Sequence, residues 1–247
     1  MGFLSRLAHP GHFLAWSRGW IAPLSWIATA LFALGLWLAF FASPEDYQMG
    51  GTVRIMYVHV PNAWLAQLCY AIMAVASIGT LVWRHPLAEV AAKAAAPLGA
   101  AFTAIALVTG SLWGRPTWGT FWEWDGRMTS TLVLLFIYLG IIALWRSLED
   151  QGRAGRLVAV LTLVGAINIP IVKFSVDWWQ TLHQPASILR AGGPSMPFSI
   201  LAPLLTMTLA FTFLFLALHI VAMRTEIVRR RVDAMQRRHA AELGIEQ

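Results

Sequence analysis

Six long, mostly apolar runs dominate this sequence, at residues 20–42, 62–83, 91–112, 129–145, 156–174 and 198–223. A helix needs about 20 such residues to cross the hydrocarbon core of a bilayer. Only helices and closed barrels satisfy their backbone groups there, and runs this long do not alternate as barrel strands do. The runs therefore predict an all-α membrane protein with six transmembrane helices, organised as one polytopic domain over residues 1–247. Composition agrees: 58% of residues are hydrophobic and 12% charged, against about 25% charged in soluble domains. A chain this apolar needs lipid as its solvent. The first run is longer than the apolar core of a cleaved signal peptide, so it is read as a retained span. Pro97, Pro170 and Pro203 fall in or near the runs and predict kinks without breaks.

The net charge of +6 does not point to nucleic acid, because the basic residues sit at span ends and in the tail. Thirteen of the eighteen Lys and Arg fall on one side of the six-span topology, and five, Arg54, Arg115, Arg127, Lys173 and Arg190, on the other. The positive-inside bias then puts both termini in the cytoplasm. Residues 43–61, 113–128 and 175–197 face outward. The tail, residues 224–247, carries mixed charge at helix-compatible spacing and reads as a solvated extension of the last helix, near anionic lipid. The single cysteine, Cys69, lies in an apolar run and allows neither an internal disulfide nor a thiolate cluster.

The outward segments hold the chemistry. Trp113, Trp118, Trp122 and Trp124 fall within twelve positions, with Phe121 among them and Gly114, Gly119 and Gly126 interspersed. Trp178 and Trp179 follow in the third outer segment. An interfacial aromatic belt accounts for Trp20, Trp83 and Trp145 near span ends. It accounts less well for four clustered indoles, which also fit a stacking surface for a flat conjugated ligand.

Of seven histidines, His9, His12, His85 and His239 lie on the cytoplasmic side, and His219 reads as a packed polar residue of the last span. His59 and His183 lie outward, flanking the tryptophan-rich segment in sequence. Each stands two residues before a proline, in His59-Val60-Pro61 and His183-Gln184-Pro185, and proline biases Val60 and Gln184 toward extended backbone. Two neutral imidazoles fill the axial positions of haem iron. A closed zinc site wants four ligands, and outer Cys and carboxylates are too few to complete one. Arg54 and Arg127 are the leading partners for haem propionates, with Arg115 and Arg190 behind them. Asp125 structures the loop, by pairing with Arg127 or capping the following helix.

With these residues assembled, the chain resembles the haem exporter protein C (CcmC) family of bacterial cytochrome c maturation. The tryptophan-rich signature is present as WGRPTWGTFWEWDGRMTS over residues 113–130, flanked by VHVPNAW with His59 and WWQTLHQP with His183. The resemblance covers all six spans. It implies a multi-pass protein of the bacterial inner membrane, with periplasmic haem-binding loops and haem b as the bound group. It also implies work alongside an ABC-type ATPase subunit, CcmA, a second membrane subunit, CcmB, and a small single-span protein, CcmD. The haem is loaded covalently onto the periplasmic chaperone CcmE. In that picture haem lies against Trp118, Trp122 and Trp124, His59 and His183 ligate iron, and Arg54 and Arg127 hold propionates. The chain has no phosphate-binding glycine loop and so is not itself the ATPase. The rival readings are a membrane electron-transfer cytochrome, which places ligand histidines inside spans, and a small-molecule transporter, which needs more deep polar residues than Asn168, Lys173 and His219. Whether this subunit templates or catalyses haem attachment stays open.

Overall fold

The computed structural model describes residues 9–148, 151–179, 181–184, 187–188 and 190–243. Helix α1 (Pro10–Trp37) runs into a π-helical turn, Leu38–Ala42. A 3-10 turn, Gly51–Ile55, leads into α2 (Met56–Trp83), followed by α3 (Pro86–Trp118) and α4 (Gly126–Ser147). Then come α5 (Gln151–Gly165), α6 (Asn168–Trp178) and α7 (Phe198–Glu242). Six segments are long and apolar enough to cross a membrane, with α5 and α6 together forming the fifth. The chain is an all-helical membrane protein, as the apolar runs require.

Local chemistry sets the helix ends. His9 caps α1 by accepting from the Gly11 N–H at 3.1 Å, with Pro10 at the first helical position. Pro86 opens α3 in the same way, where its missing N–H costs nothing. Gly119 closes α3 in the left-handed region at φ 80°, a conformation without steric penalty only for glycine.

The main core lies between α2, α3, α4 and α5, around Leu65, Tyr70, Met73, Leu134, Tyr138 and Ile141. Tyr70 donates to the Thr162 carbonyl at 3.0 Å and Tyr138 to the Ala66 carbonyl at 2.7 Å, so each buried phenol has an acceptor on another helix. Tyr138 passes directly over Gly99, where an added Cβ would collide with the ring. Small residues let membrane helices approach this closely. A Gly99→Ala variant is therefore expected to lose about 1–3 kcal/mol through overpacking, read as a lower unfolding temperature in detergent. An unchanged transition would show that Tyr138 has room to move. Helix α1 packs chiefly on α7, leaving Trp26, Phe40 and Phe41 on the outside, as expected of side chains that face lipid.

Two expectations change, and a third holds. The second helix begins at Met56, so His59 stands in its first turn and Val60 is helical, not extended. Val53, Met56 and Tyr57 are buried against Ile200, Leu204 and Met207 of α7, and that packing overrides the pre-proline preference. Helix α3 continues through Pro116 to Trp118, so Trp113 and Trp118 are helical and the irregular segment shrinks to residues 119–125. Near Pro170 the fifth span kinks without ending, as expected: Ala154–Trp178 remains one membrane-length segment, with a local turn at 166–167 between α5 and α6. Its ring would clash with the carbonyl four residues back, that of Ala166, and the helix is locally distorted there, with Ile167 still in the right-handed helical region. The Ala166 carbonyl accepts instead from Ile169 at 3.1 Å, and Asn168 donates to the Ser130 carbonyl of α4 at 2.9 Å. Helices α3 and α7 pass through Pro97 and Pro203 unbroken. The last helix continues into the charged tail as far as Glu242.

Candidate functional site

A cavity of about 400 Å³ opens between α2, α3, α4, α6 and α7 at the tryptophan-rich end of the bundle. His59, Arg127, Lys173 and His183 all line it. The two imidazoles singled out in sequence thus share one space.

His59 is placed by α2 and oriented by α3. Its Nδ1 lies 3.0 Å from the Ala106 carbonyl and 3.3 Å from the Thr109 hydroxyl. A carbonyl can only accept, so Nδ1 carries the proton and donates, leaving the Nε2 lone pair free. The ring rests on Gly110, where an added Cβ would sit 2.8 Å from Cε1, and the Trp113 ring meets it edge-on at 5.8 Å.

His183 follows α6 and is oriented by Asp125. Its Nδ1 lies 2.7 Å from Asp125 Oδ2, an oxygen that also accepts from the Thr181 hydroxyl. The other oxygen of Asp125 caps α4 by accepting from the Met128 N–H at 2.7 Å. One carboxylate thus starts a helix and fixes a histidine tautomer. Burial alone would raise the Asp125 pKa, but hydrogen bonds from Thr181, Met128 and His183 hold it below its ordinary value. Burial pushes His183 below its ordinary 6.5, with Arg127 adding to the effect and Asp125 opposing it. At neutral pH the pair is therefore a carboxylate and a neutral imidazole. Among the described residues neither histidine Nε2 has a hydrogen-bond partner. Trp118 packs on His183 at 4.9 Å.

The remaining candidates fall at varying distances from this centre. Arg127 donates to the Lys173 carbonyl at 3.1 Å, while its Nε is buried without a partner. The Asp125–Arg127 ion pair is not formed; Asp125 serves the helix cap and His183 instead. Arg54 donates to the Ala39 carbonyl at 3.1 Å and does not line the cavity. Arg115 donates to the Gly119 carbonyl, and Arg190 is exposed. Trp122 and Trp124 meet edge-on at 5.4 Å, as do Trp178 and Trp179 at 6.0 Å. None of these four lines the cavity itself. Trp124, Trp178 and Trp179 are each more than half exposed, and the Nε1 of Trp122 is buried without an acceptor. Pro185 of the His183-Gln184-Pro185 segment lies outside the described residues.

Sequence reasoning missed Lys173 and Trp64 as lining residues. A lone cation in an apolar run signals function by default, and Lys173 was such a signal. Trp64 lay five residues beyond His59 in a segment already singled out. Two neutral imidazoles, with no third His, Cys, Asp or Glu among the described residues to complete a metal cage, do not make a closed zinc site. They suit an iron that already has four equatorial ligands, as in haem. The unpartnered Nε of Arg127, which lines the cavity, leaves hydrogen-bonding capacity for a ligand with acceptors.

A family model described as Heme exporter protein C matches residues 3–238. The Heme exporter protein C of Bradyrhizobium diazoefficiens is 60% identical over 241 residues, covering 96% of this chain and 90% of the relative. That of Escherichia coli K12 is 44% identical over 211 residues, 85% of each chain. A putative cytochrome c biosynthesis ccmC-like mitochondrial protein of Marchantia polymorpha is 43% identical over 208 residues, covering 84% of this chain and 88% of the relative.

Proposed function

This chain belongs to the haem exporter protein C family, and on that premise we propose that it binds haem b at the tryptophan-rich end and hands it on during c-type cytochrome biogenesis. The observation that carries this reading is the pair His59 and His183, each with Nδ1 tied back and Nε2 free, on one cavity. A metal-ligating histidine usually donates its other ring N–H to a carboxylate or carbonyl, which fixes the tautomer and raises basicity. Here Asp125 and the Ala106 carbonyl do so in advance of any ligand.

The protein's part is to bind, orient and release. His59 and His183 offer lone pairs to the iron, and Trp113 and Trp118 buttress the two rings. Arg127 and Lys173, which line the cavity, take the carboxylates of the haem edge. The exposed rings of Trp124, Trp178 and Trp179 offer aromatic surface on which a flat ligand can stack as it enters and leaves. The basic bias of the other end supports an orientation with the site on the periplasmic side of the inner membrane. The recipient is the haem chaperone CcmE. An ATPase subunit, CcmA, works with CcmB and CcmD to drive release, since breaking two axial bonds needs a conformational step that this chain alone does not power.

The test is spectroscopic. The purified full chain, given ferric haem in detergent, is expected to develop a low-spin spectrum with two axial imidazoles. A high-spin spectrum would overturn ligation by both histidines. The same titration yields a pH profile. Protonating His183 Nε2 competes with ligation, and burial holds that pKa below 6.5. Affinity is therefore expected to be flat above pH 6.5 and to fall as the pH drops through the His183 pKa, by about tenfold per unit once protonation dominates. Falling affinity already above neutrality would exclude His183 as the titrating ligand.

A further inference from the structure

The opposite end of the bundle holds a second and larger cavity, of about 680 Å³, between α3, α4 and α7. Lys93 of α3, which lines it, stands 25 residues before Trp118, roughly 38 Å away at about 1.5 Å per residue. This cavity is separate from the haem-binding site proposed above and plays no part in that reading.

Its lining is cationic. Lys93, Arg146, Arg229 and Arg237 face it, against Glu226 and Asp233, leaving an excess of two positive charges among the described residues. Glu226 is already shared, accepting from Lys93 at 2.9 Å, Arg229 at 2.8 Å and Arg230 at 2.7 Å. Its charge is spent on those neighbours. Arg146 and Arg237 make no ion pair or hydrogen bond with any described residue. Trp145 also lines the cavity; it is 8% exposed, and its Nε1 is buried without an acceptor. A buried donor left unmade is costly, and here it shares the cavity with guanidiniums that have no partner among the described residues. The floor is apolar, formed by the buried Ala94, Ala96 and Ala154.

A pocket that is basic at its mouth and apolar at its floor, at the end of a bundle of membrane spans, fits an anionic amphiphile. Basic pockets between spanning helices on the cytoplasmic side bind anionic lipid headgroups. We propose that this cavity is a binding site for the phosphate headgroup of an anionic phospholipid, held by Arg146, Arg237 and the Trp145 indole N–H, with the acyl chains leaving toward the bilayer.

The probe is phosphatidylglycerol, titrated against phosphatidylcholine of the same acyl chains into the full chain in neutral detergent. Binding is read by native mass spectrometry and by thermal protection. The variant is Arg146→Gln with Arg237→Gln, which disturbs no observed ion pair. Arg18→Gln, exposed on α1 and outside the cavity, is the control. Wild type is expected to bind phosphatidylglycerol at least about tenfold more tightly than phosphatidylcholine, and the double variant to lose about that factor while the control keeps it. Equal affinity for the two lipids, or an unaltered preference in the double variant, would overturn the assignment. So would inorganic phosphate protecting as well as the lipid, which would make this a site for a free anion.

Discussion

His59→Ala and His183→Ala, each purified as the full chain, are expected to lose the low-spin haem spectrum and to bind haem more than about 100-fold more weakly, since even an outer-shell partner of a metal ligand is worth about 10–100-fold. Both side chains reach one cavity with Nδ1 already committed and Nε2 unengaged. Removing either leaves iron with one protein ligand, and the two changes should look alike. Asp125→Asn is expected to fall within the smaller range. The amide can still cap α4, but it can present N–H₂ where Oδ2 now accepts from His183 and Thr181. It therefore no longer enforces the tautomer. Free imidazole separates ligand loss from misfolding: it should enter the space vacated at residue 59 or 183 and restore the low-spin spectrum. A spectrum unchanged in either alanine variant would remove that residue from the site. Absence of imidazole rescue in both, with the helical content intact, would argue that the rings shape the cavity and do not ligate.

Much of this arrangement was legible before any coordinates. Hydrophobic run length fixes six spans because lipid admits no other way to satisfy the backbone, and segment counting puts His59, His183 and the indoles at one end. What could not be read were the places where packing overrides local preference. Pro61 predicts an extended Val60, yet buried Met56 and Tyr57 draw the segment into α2. Pro170, by contrast, predicts a kink and produces one, its ring displacing the Ala166 carbonyl, which accepts from Ile169 instead. Side-chain aim is invisible in sequence as well. Arg54 and Arg127 look equivalent by position, but Arg54 turns to the Ala39 carbonyl while Arg127 lines the cavity. The tryptophan cluster divides in the same way, with Trp113 and Trp118 packed on the histidines and Trp122 and Trp124 packed on each other. Either of two roles was expected for Asp125, and the structure gives it the helix cap. Its contact with His183 joins residues far apart in sequence, and no local pattern announces it.

Glu226→Ala is expected to produce the largest loss of stability, about 3–5 kcal/mol, the range for removing one partner of a buried ion pair. The carboxylate is 8% exposed and accepts from Lys93, Arg229 and Arg230 at once. Without it three cations converge on one another, and only Arg230 keeps a carboxylate, that of Glu89 at 2.7 Å. Arg229 is about half exposed and can turn to solvent, which favours the lower end of the range. Lys93 cannot turn away as easily, because its ammonium is fixed over the Trp145 ring at 4.8 Å. The cost should therefore concentrate in the Lys93–Glu226 pair, and Lys93→Met combined with Glu226→Met should recover most of it, since well-packed apolar replacements of a buried pair are often neutral. Unfolding temperature in detergent measures both. A drop of about 6–12 °C corresponds to 3 kcal/mol for a chain of this size. A single variant that melts with wild type would mean that water reaches the cluster and screens it. Haem affinity supplies the cross-check: Glu226 lies at the end of the bundle away from the imidazoles, so its loss should lower stability while leaving the haem titration unchanged, the reverse of what His59→Ala does.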